Sequence, residues 1–138
     1  MGDEAWAVRV ELPLRHRDMD ALGHVNQAVY HELLEEVRSA LFSQVLPDLP
    51  FTGYVLAHAA LDYRSEVRIE DRKLIGEGRI AELGRSRVEI ENRLSKPDGA
   101  VAVEGRAILV AWDEESRKAR PLTDDEKASL LAATGGDG

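Results

Sequence analysis

Val29-Tyr30-His31-Glu32-Leu33-Leu34-Glu35-Glu36-Val37-Arg38-Ser39-Ala40-Leu41-Phe42-Ser43-Gln44-Val45 is the long stretch of this 138-residue chain that repeats with a helical period. Val29, Leu33, Val37, Ala40, Leu41 and Val45 fall on one face, and Tyr30 and Leu34 widen it. Asn26 stands where a side-chain oxygen can accept from a free N–H of the first turn, and Pro47 and Pro50 end the pattern. The spacing predicts a helix of about five turns. On either side of it the period is two. Trp6, Val8, Val10, Leu12 and Leu14 alternate with polar residues, so a strand precedes the helix, and Pro13 places that strand near an edge or an end.

After the helix the chain reads as strand almost to its end. Leu61, Tyr63, Ser65, Val67 and Ile69 alternate with charged residues. Leu74 to Leu83 is a further strand, weakened by Gly76 and Gly78, and Val88, Ile90 and Leu94 mark the next. Pro97-Asp98-Gly99 is a turn: proline presets its own φ and glycine supplies a positive one. Val101 to Trp112 is apolar on both faces in its second half, which predicts a central, covered strand. Thr123-Asp124-Asp125-Glu126 is a capping box that opens a short final helix through Leu130 and Leu131. The expected architecture is α+β: a five-stranded antiparallel sheet curved around one long central helix. Residues 1–134 are expected to form a single domain, with a disordered tail over 135–138. One helix is too little cover for such a sheet, so self-association is expected to extend the sheet or cover its back.

Composition narrows the function. Asp and Glu outnumber Lys and Arg 26 to 18, a formal charge of -8, which disfavours nucleic acid and anionic membranes as partners. Cysteine is absent, so disulfides, thiolate metal sites and cysteine nucleophiles are excluded. No apolar run approaches the ~20 residues of a membrane span, and the start carries Asp3 and Glu4 rather than a signal sequence, so a cytoplasmic location is expected.

Chemistry concentrates between the first strand and the helix, in Arg15-His16-Arg17-Asp18-Met19-Asp20-Ala21-Leu22-Gly23-His24-Val25-Asn26. A helix start offers N–H groups without intrahelical partners and the positive end of the dipole. A carboxylate beside such groups suits acyl transfer: the amides can hold an oxyanion while the carboxylate attacks or activates water. From the residues alone the same loop could be no more than caps and Asx turns.

Asp18-Met19-Asp20-Ala21-Leu22-Gly23-His24-Val25-Asn26, followed by Tyr30 and by Glu35-Glu36-Val37-Arg38, resembles the signature of the 4-hydroxybenzoyl-CoA thioesterase-like acyl-CoA thioesterases, which are hotdog-fold enzymes. Leu61-Asp62-Tyr63-Arg64 resembles that family's second strand, Gly84-Arg85-Ser86-Arg87 its turn near the pantetheine, and Ala119-Arg120-Pro121-Leu122 its C-terminal end. The resemblance implies hydrolysis of an acyl-CoA thioester to free acid and coenzyme A. It implies Asp20 as the catalytic carboxylate, acting as nucleophile or general base, with Asp18 orienting the turn. The oxyanion donor would be the backbone N–H near Gln27, and His24 and Asn26 would shape the loop or bind the attacking water. Gln27 departs from the Asn that many members carry there, which changes a side chain and leaves the backbone donor.

A thioester has poor resonance and a good leaving group, so one carboxylate, one oxyanion donor and excluded water can suffice. Arg64, Arg85 and Arg87 are candidates for the phosphates of coenzyme A and Ser86 for the pantetheine, although Arg64 could equally pair with Asp62 or Glu66. No metal or cofactor is expected. His31 and Glu35 have ligand spacing but no identifiable third ligand, and the glycines of Gly76-Glu77-Gly78 continue a strand rather than opening a helix. A homodimer or homotetramer is expected. Two other hotdog activities compete: a hydratase or dehydratase pairing His24 with Glu35 or Glu36, and a non-catalytic binding protein.

Overall fold

The helix forms where its apolar face repeats. α1 runs Gln27–Val45, and Asn26 caps it by accepting from the Ala28 N–H at 2.9 Å. Its inward residues Leu33, Leu34, Val37, Leu41 and Phe42 are buried. A computed structural model provides this structure and describes residues 6–47 and 53–133; the expected disordered tail over 135–138 and Pro50 lie outside the described residues.

Among the described residues there are five long strands, β1 Val8–Pro13, β2 Tyr54–Tyr63, β3 Lys73–Leu83, β4 Arg87–Ser95 and β5 Val101–Asp113; β2 meets the alternating stretch expected from Leu61 to Ile69 only at its last three residues. They lie in the order β1-β3-β4-β5-β2, each antiparallel to its neighbours, and a two-residue β6, Lys118–Ala119, pairs with the end of β5. The sheet therefore has a short sixth strand beyond the five expected. As expected, β5 is interior, between β4 and β2. The Pro97-Asp98-Gly99 turn takes its expected form, with Gly99 at φ +94. α2, Asp124–Ala132, begins at the Thr123 capping box. The arrangement is the expected hotdog: one curved antiparallel sheet wrapped around one long helix.

The glycines that weaken β3 as a strand let the helix sit close to it. A Cβ at Gly76 would stand 2.4 Å from Val37 Cγ2, and one at Gly78 would stand 3.1 Å from Val37 Cγ1. The strand survives the loss of propensity because α1 packs where side chains would otherwise be.

The face of the sheet turned away from α1 is dressed by ion pairs. Glu77 takes Arg9 at 3.2 Å and Arg93 at 2.8 Å, Arg79 pairs with Glu91 at 2.9 Å, and Arg106 pairs with Glu89. The Trp6 ring lies against the guanidinium groups of Arg79 and Arg93, at 4.4 and 5.0 Å. On β5, Ile108, Val110 and Trp112 are only half-buried on this side. The back of the sheet is thus less apolar than the sequence of β5 suggests.

At the far end of the molecule a buried polar cluster ties α2 to the sheet. Glu126 accepts from Arg120 at 2.8 and 2.9 Å and from the Tyr54 hydroxyl at 2.5 Å. The Arg120 guanidinium, acting against the cost of burial, holds the Glu126 carboxyl down at about 2. The Arg85 and Ser86 carbonyls accept from Leu122 and Ala111, both at 2.8 Å, so this end of the fold also supports the β3–β4 turn.

Candidate active site

The loop between β1 and α1 is built by its two aspartates, and they do different jobs. Asp18 is 2% exposed and accepts from the Arg15 backbone N–H at 2.9 Å and from its guanidinium at 2.9 and 3.3 Å. Burial works against its charge, but the Arg15 bonds prevail and its carboxyl sits below the usual range. Its backbone carbonyl accepts from the Asn26 N–H at 2.9 Å, which delivers the chain to the helix start.

Asp20 opens a tight turn. Its carbonyl accepts from the Gly23 N–H at 3.1 Å, and its N–H donates to the His24 carbonyl at 2.7 Å. Gly23 sits at φ +78, a conformation that suits glycine. Asp20 Oδ1 accepts from the N–H groups of Leu22 at 2.9 Å and His24 at 3.1 Å. The Asx-turn role is therefore real, but it uses one oxygen. Oδ2 has no hydrogen-bond partner among the described residues, and the side chain is exposed.

A cleft of about 400 Å³ lies between this turn, the first turn of α1 and the segment that follows β2. Asp20 and His24 line it from the loop, Gln27 and Tyr30 from the helix, and Tyr63, Arg64, Ser65 and Glu66 from the opposite wall. The wall is tied to the loop through the backbone: Val25 N–H donates to the Val67 carbonyl at 3.1 Å, and His24 bridges Arg68. It is tied to the sheet by Arg64 N–H and Ser65 Oγ, which donate to the carbonyls of Ala102 and Val101 at 2.7 and 2.9 Å. Tyr30 and Tyr63 meet edge to face at 5.2 Å, and burial, reinforced by Tyr63 and Asp20, pushes the Tyr30 hydroxyl up to about 12, so it stays protonated.

The expected site residues divide on this geometry. Asp20, His24, Gln27 and Arg64 share the cleft. Gln27 is the first residue of α1, where a backbone N–H has no intrahelical acceptor. Asn26 Oδ1 is occupied by the cap, and Asn26 is not among the residues that line the cleft. Arg64 is held by Glu104 at 3.0 Å and more loosely by Asp62, one of its two expected partners, at 3.8 Å, so the other, Glu66, is left to another residue. Arg85 and Ser86 occupy the β3–β4 turn and Arg87, whose guanidinium lies 3.7 Å from Glu82, opens β4, at the other end of β3 from the Leu14–Arg72 contact beside the loop. At about 3.3 Å per residue, roughly 30 Å of strand separates the two regions within one chain.

Glu66 is the cleft residue that sequence reasoning overlooked. Its Oε1 lies 2.6 Å from His24 Nε2. Period-two alternation ran the strand through Ile69 and put Glu66 on a solvated face. β2 in fact ends at Tyr63, and the next residues turn onto the loop. Glu35 and Glu36, the carboxylates that a hydratase would need from the helix, are exposed and do not line the cleft. His31 and Glu35 lie on the outer side of α1, and no cluster of three or more His, Asp or Glu that could hold a metal occurs among the described residues. No described helix is long and apolar enough to cross a membrane.

Comparison with known proteins bears on this cleft. The family described as the thioesterase-like superfamily matches residues 14–130. Among solved structures, the chain is similar to a thioesterase from Thermus thermophilus crystallised with coenzyme A and Zn, at 30% identity and a TM-score of 0.87 over 97% of this chain and 98% of that one. A Pseudomonas aeruginosa protein shares 27% identity at a TM-score of 0.79, over 91% and 99% of the two chains. A 1,4-dihydroxy-2-naphthoyl-CoA thioesterase from Synechocystis shares the fold, at 18% identity and a TM-score of 0.76 over 89% and 94%. No curated protein matches the chain.

Proposed function

Because this chain belongs to the thioesterase-like superfamily, we propose that it hydrolyses an acyl-CoA thioester to the free acid and coenzyme A, with Asp20 as the reacting carboxylate. One observation carries the assignment to Asp20: it lines the same cleft as Gln27 at the helix start, with only its Oδ1 engaged by hydrogen bonds among the described residues. The thioester carbonyl oxygen accepts from the Gln27 N–H, where the helix dipole favours the negative charge that develops there. Asp20 Oδ2 then works in one of two ways. As nucleophile it forms a mixed anhydride that water later opens. As general base it takes a proton from water while the water oxygen bonds to the carbonyl carbon. In either case the C–S bond breaks and the thiolate of coenzyme A departs without help, being a good leaving group; in the general-base route the acid's new oxygen comes from water, in the anhydride route from Asp20 or from water according to which carbonyl the water attacks, and the proton taken from water passes to the thiolate or to solvent. The fixed Oδ1 keeps the carboxylate from rotating away, so orientation is settled before substrate binds.

Arg85 and Arg87 supply cations for the coenzyme A phosphates and Ser86 a hydrogen bond to the pantetheine. Since their turn is roughly 30 Å from the loop along β3, they serve an Asp20 on another copy of the chain. A homodimer provides this. β2 is an edge strand with no partner on its outer side among the described residues, and it leaves Leu56 and Tyr63 about half exposed, at 50% and 49%. Light scattering at micromolar concentration should give at least twice the chain mass; a monomer would remove this part of the proposal. A panel of acyl-CoA thioesters assayed for free thiol tests the activity. Turnover of some member is expected, and binding of coenzyme A without thiol release from any member would favour the non-catalytic alternative.

A further inference from the structure

We infer that Glu66 is a positioning residue that fixes the ring of His24 in the cleft. The backbone of His24 is already locked. Its N–H donates to Asp20 Oδ1 at 3.1 Å, its carbonyl accepts from Asp20 N–H at 2.7 Å, and it bridges Arg68 across the cleft wall. What remains free is rotation about the side-chain bonds, and the 2.6 Å contact from Nε2 to Glu66 Oε1 removes it. A carboxylate only accepts, so Nε2 carries the proton and Nδ1 is left to face a water or substrate.

The surroundings leave Glu66 for this task. The neighbouring cations are directed elsewhere: Arg64 to Glu104 and Asp62, Arg68 to Glu70 at 3.6 Å, and Lys96 to the Glu66 backbone carbonyl at 3.2 Å rather than to its carboxylate. Both members of the pair are substantially exposed, 40% for His24 and 56% for Glu66. Exposed pairs of this kind add little to stability. The contact therefore holds the geometry of a ring beside Asp20 rather than the fold.

This inference rests on the thioesterase reading of the cleft, and one arm of its test does not. Nitrogen-15 NMR of the imidazole reads the tautomer of His24 with no substrate present. Wild type and Glu66→Gln, which keeps an acceptor oxygen, should both show Nε2–H; Glu66→Ala should show a mixture. In the assay, Glu66→Ala should lower kcat about tenfold, the low end of the loss seen when the carboxylate partner of a metal-binding histidine is removed. KM and melting temperature should hold, and Glu66→Gln should recover kcat to within about threefold of wild type. In a His24→Ala background, Glu66→Ala should add no further loss. An unchanged tautomer in Glu66→Ala would overturn the inference even if the enzyme is a thioesterase, and so would an unchanged kcat or a full additional loss without His24. A shifted tautomer in a protein that releases no thiol would retain the Glu66–His24 coupling and reject the thioesterase reading instead.

Discussion

Replacing Asp20 by Asn separates chemistry from architecture at a single atom. The turn uses Asp20 Oδ1 twice, at 2.9 Å from Leu22 N and 3.1 Å from His24 N. An asparagine keeps an oxygen there and can keep both bonds. Weakening them by loss of charge costs under about 1 kcal/mol, a shift of a few degrees in Tm for a domain of this size. The change is felt at Oδ2, where an anionic oxygen becomes an amide nitrogen that can neither attack nor accept a proton. Loss of a nucleophile or base costs two to four decades in rate, about 3 to 5 kcal/mol of barrier. Asp18→Asn is the matched control. That carboxylate is buried and holds Arg15 through three bonds, so its loss should cost about 2 kcal/mol or more in stability and only several-fold in rate. The assay is thiol release from a good acyl-CoA substrate by the three proteins, with denaturant melts alongside. An Asp20→Asn enzyme within a few-fold of wild type beside a dead Asp18→Asn enzyme would mean that the aspartates have been assigned the wrong way round. Full activity in both would mean that the loop is structural only.

Acid should loosen the α2 end of the molecule. Glu126 is held at about 2, below the ordinary carboxylate range, so its contribution is complete above about pH 5 and disappears as the pH falls toward 2. The contribution is on the order of 3 kcal/mol, and Glu126→Gln should flatten the urea-midpoint profile over that window. Gly76→Ala sets a methyl 2.4 Å from Val37 Cγ2 and should destabilise by about 2 kcal/mol or more; adding Val37→Ala should return part of the loss in the same melts. Arg85→Ala with Arg87→Ala should raise KM for acyl-CoA at low salt, and the difference should shrink as salt screens the phosphates. An unchanged KM would place the phosphate site elsewhere.

The fold was legible because periodicity reports burial on one face. The helical face from Val29 to Val45 and the alternations of β1, β3 and β4 are each set by a single neighbouring layer, and they appear where they were expected. Besides the short β6 and the start of β2, the back of the sheet and one wall of the cleft were not legible. β5 was expected to be covered on both faces, yet Ile108, Val110 and Trp112 are half-buried on the back of the sheet, whose character comes from cross-strand ion pairing. Glu77 meets Arg9 and Arg93 only once β1, β3 and β4 are in register. In the cleft, Asp20, His24 and Gln27 were visible because they are close together in the chain. Glu66 was not, because its contact with His24 is distant in sequence and depends on where β2 stops. Alternation carries no signal for the end of a strand whose next residues keep the same pattern.

The strand order has a consequence for how the protein reaches its working form. β3, β4 and β5 are joined by short turns and can pair as a meander from local encounters, whereas β1 and β2, successive strands in the chain, must travel to opposite edges of the sheet. Closing such long loops is the slow part of folding. The cleft is made where the β1–α1 loop meets the segment leaving β2, so it exists only after both edges have docked. During refolding from denaturant, the circular dichroism of the sheet should return before catalysis does. Enzymatic activity is then a clock for the last event of assembly rather than a measure of how much secondary structure has formed.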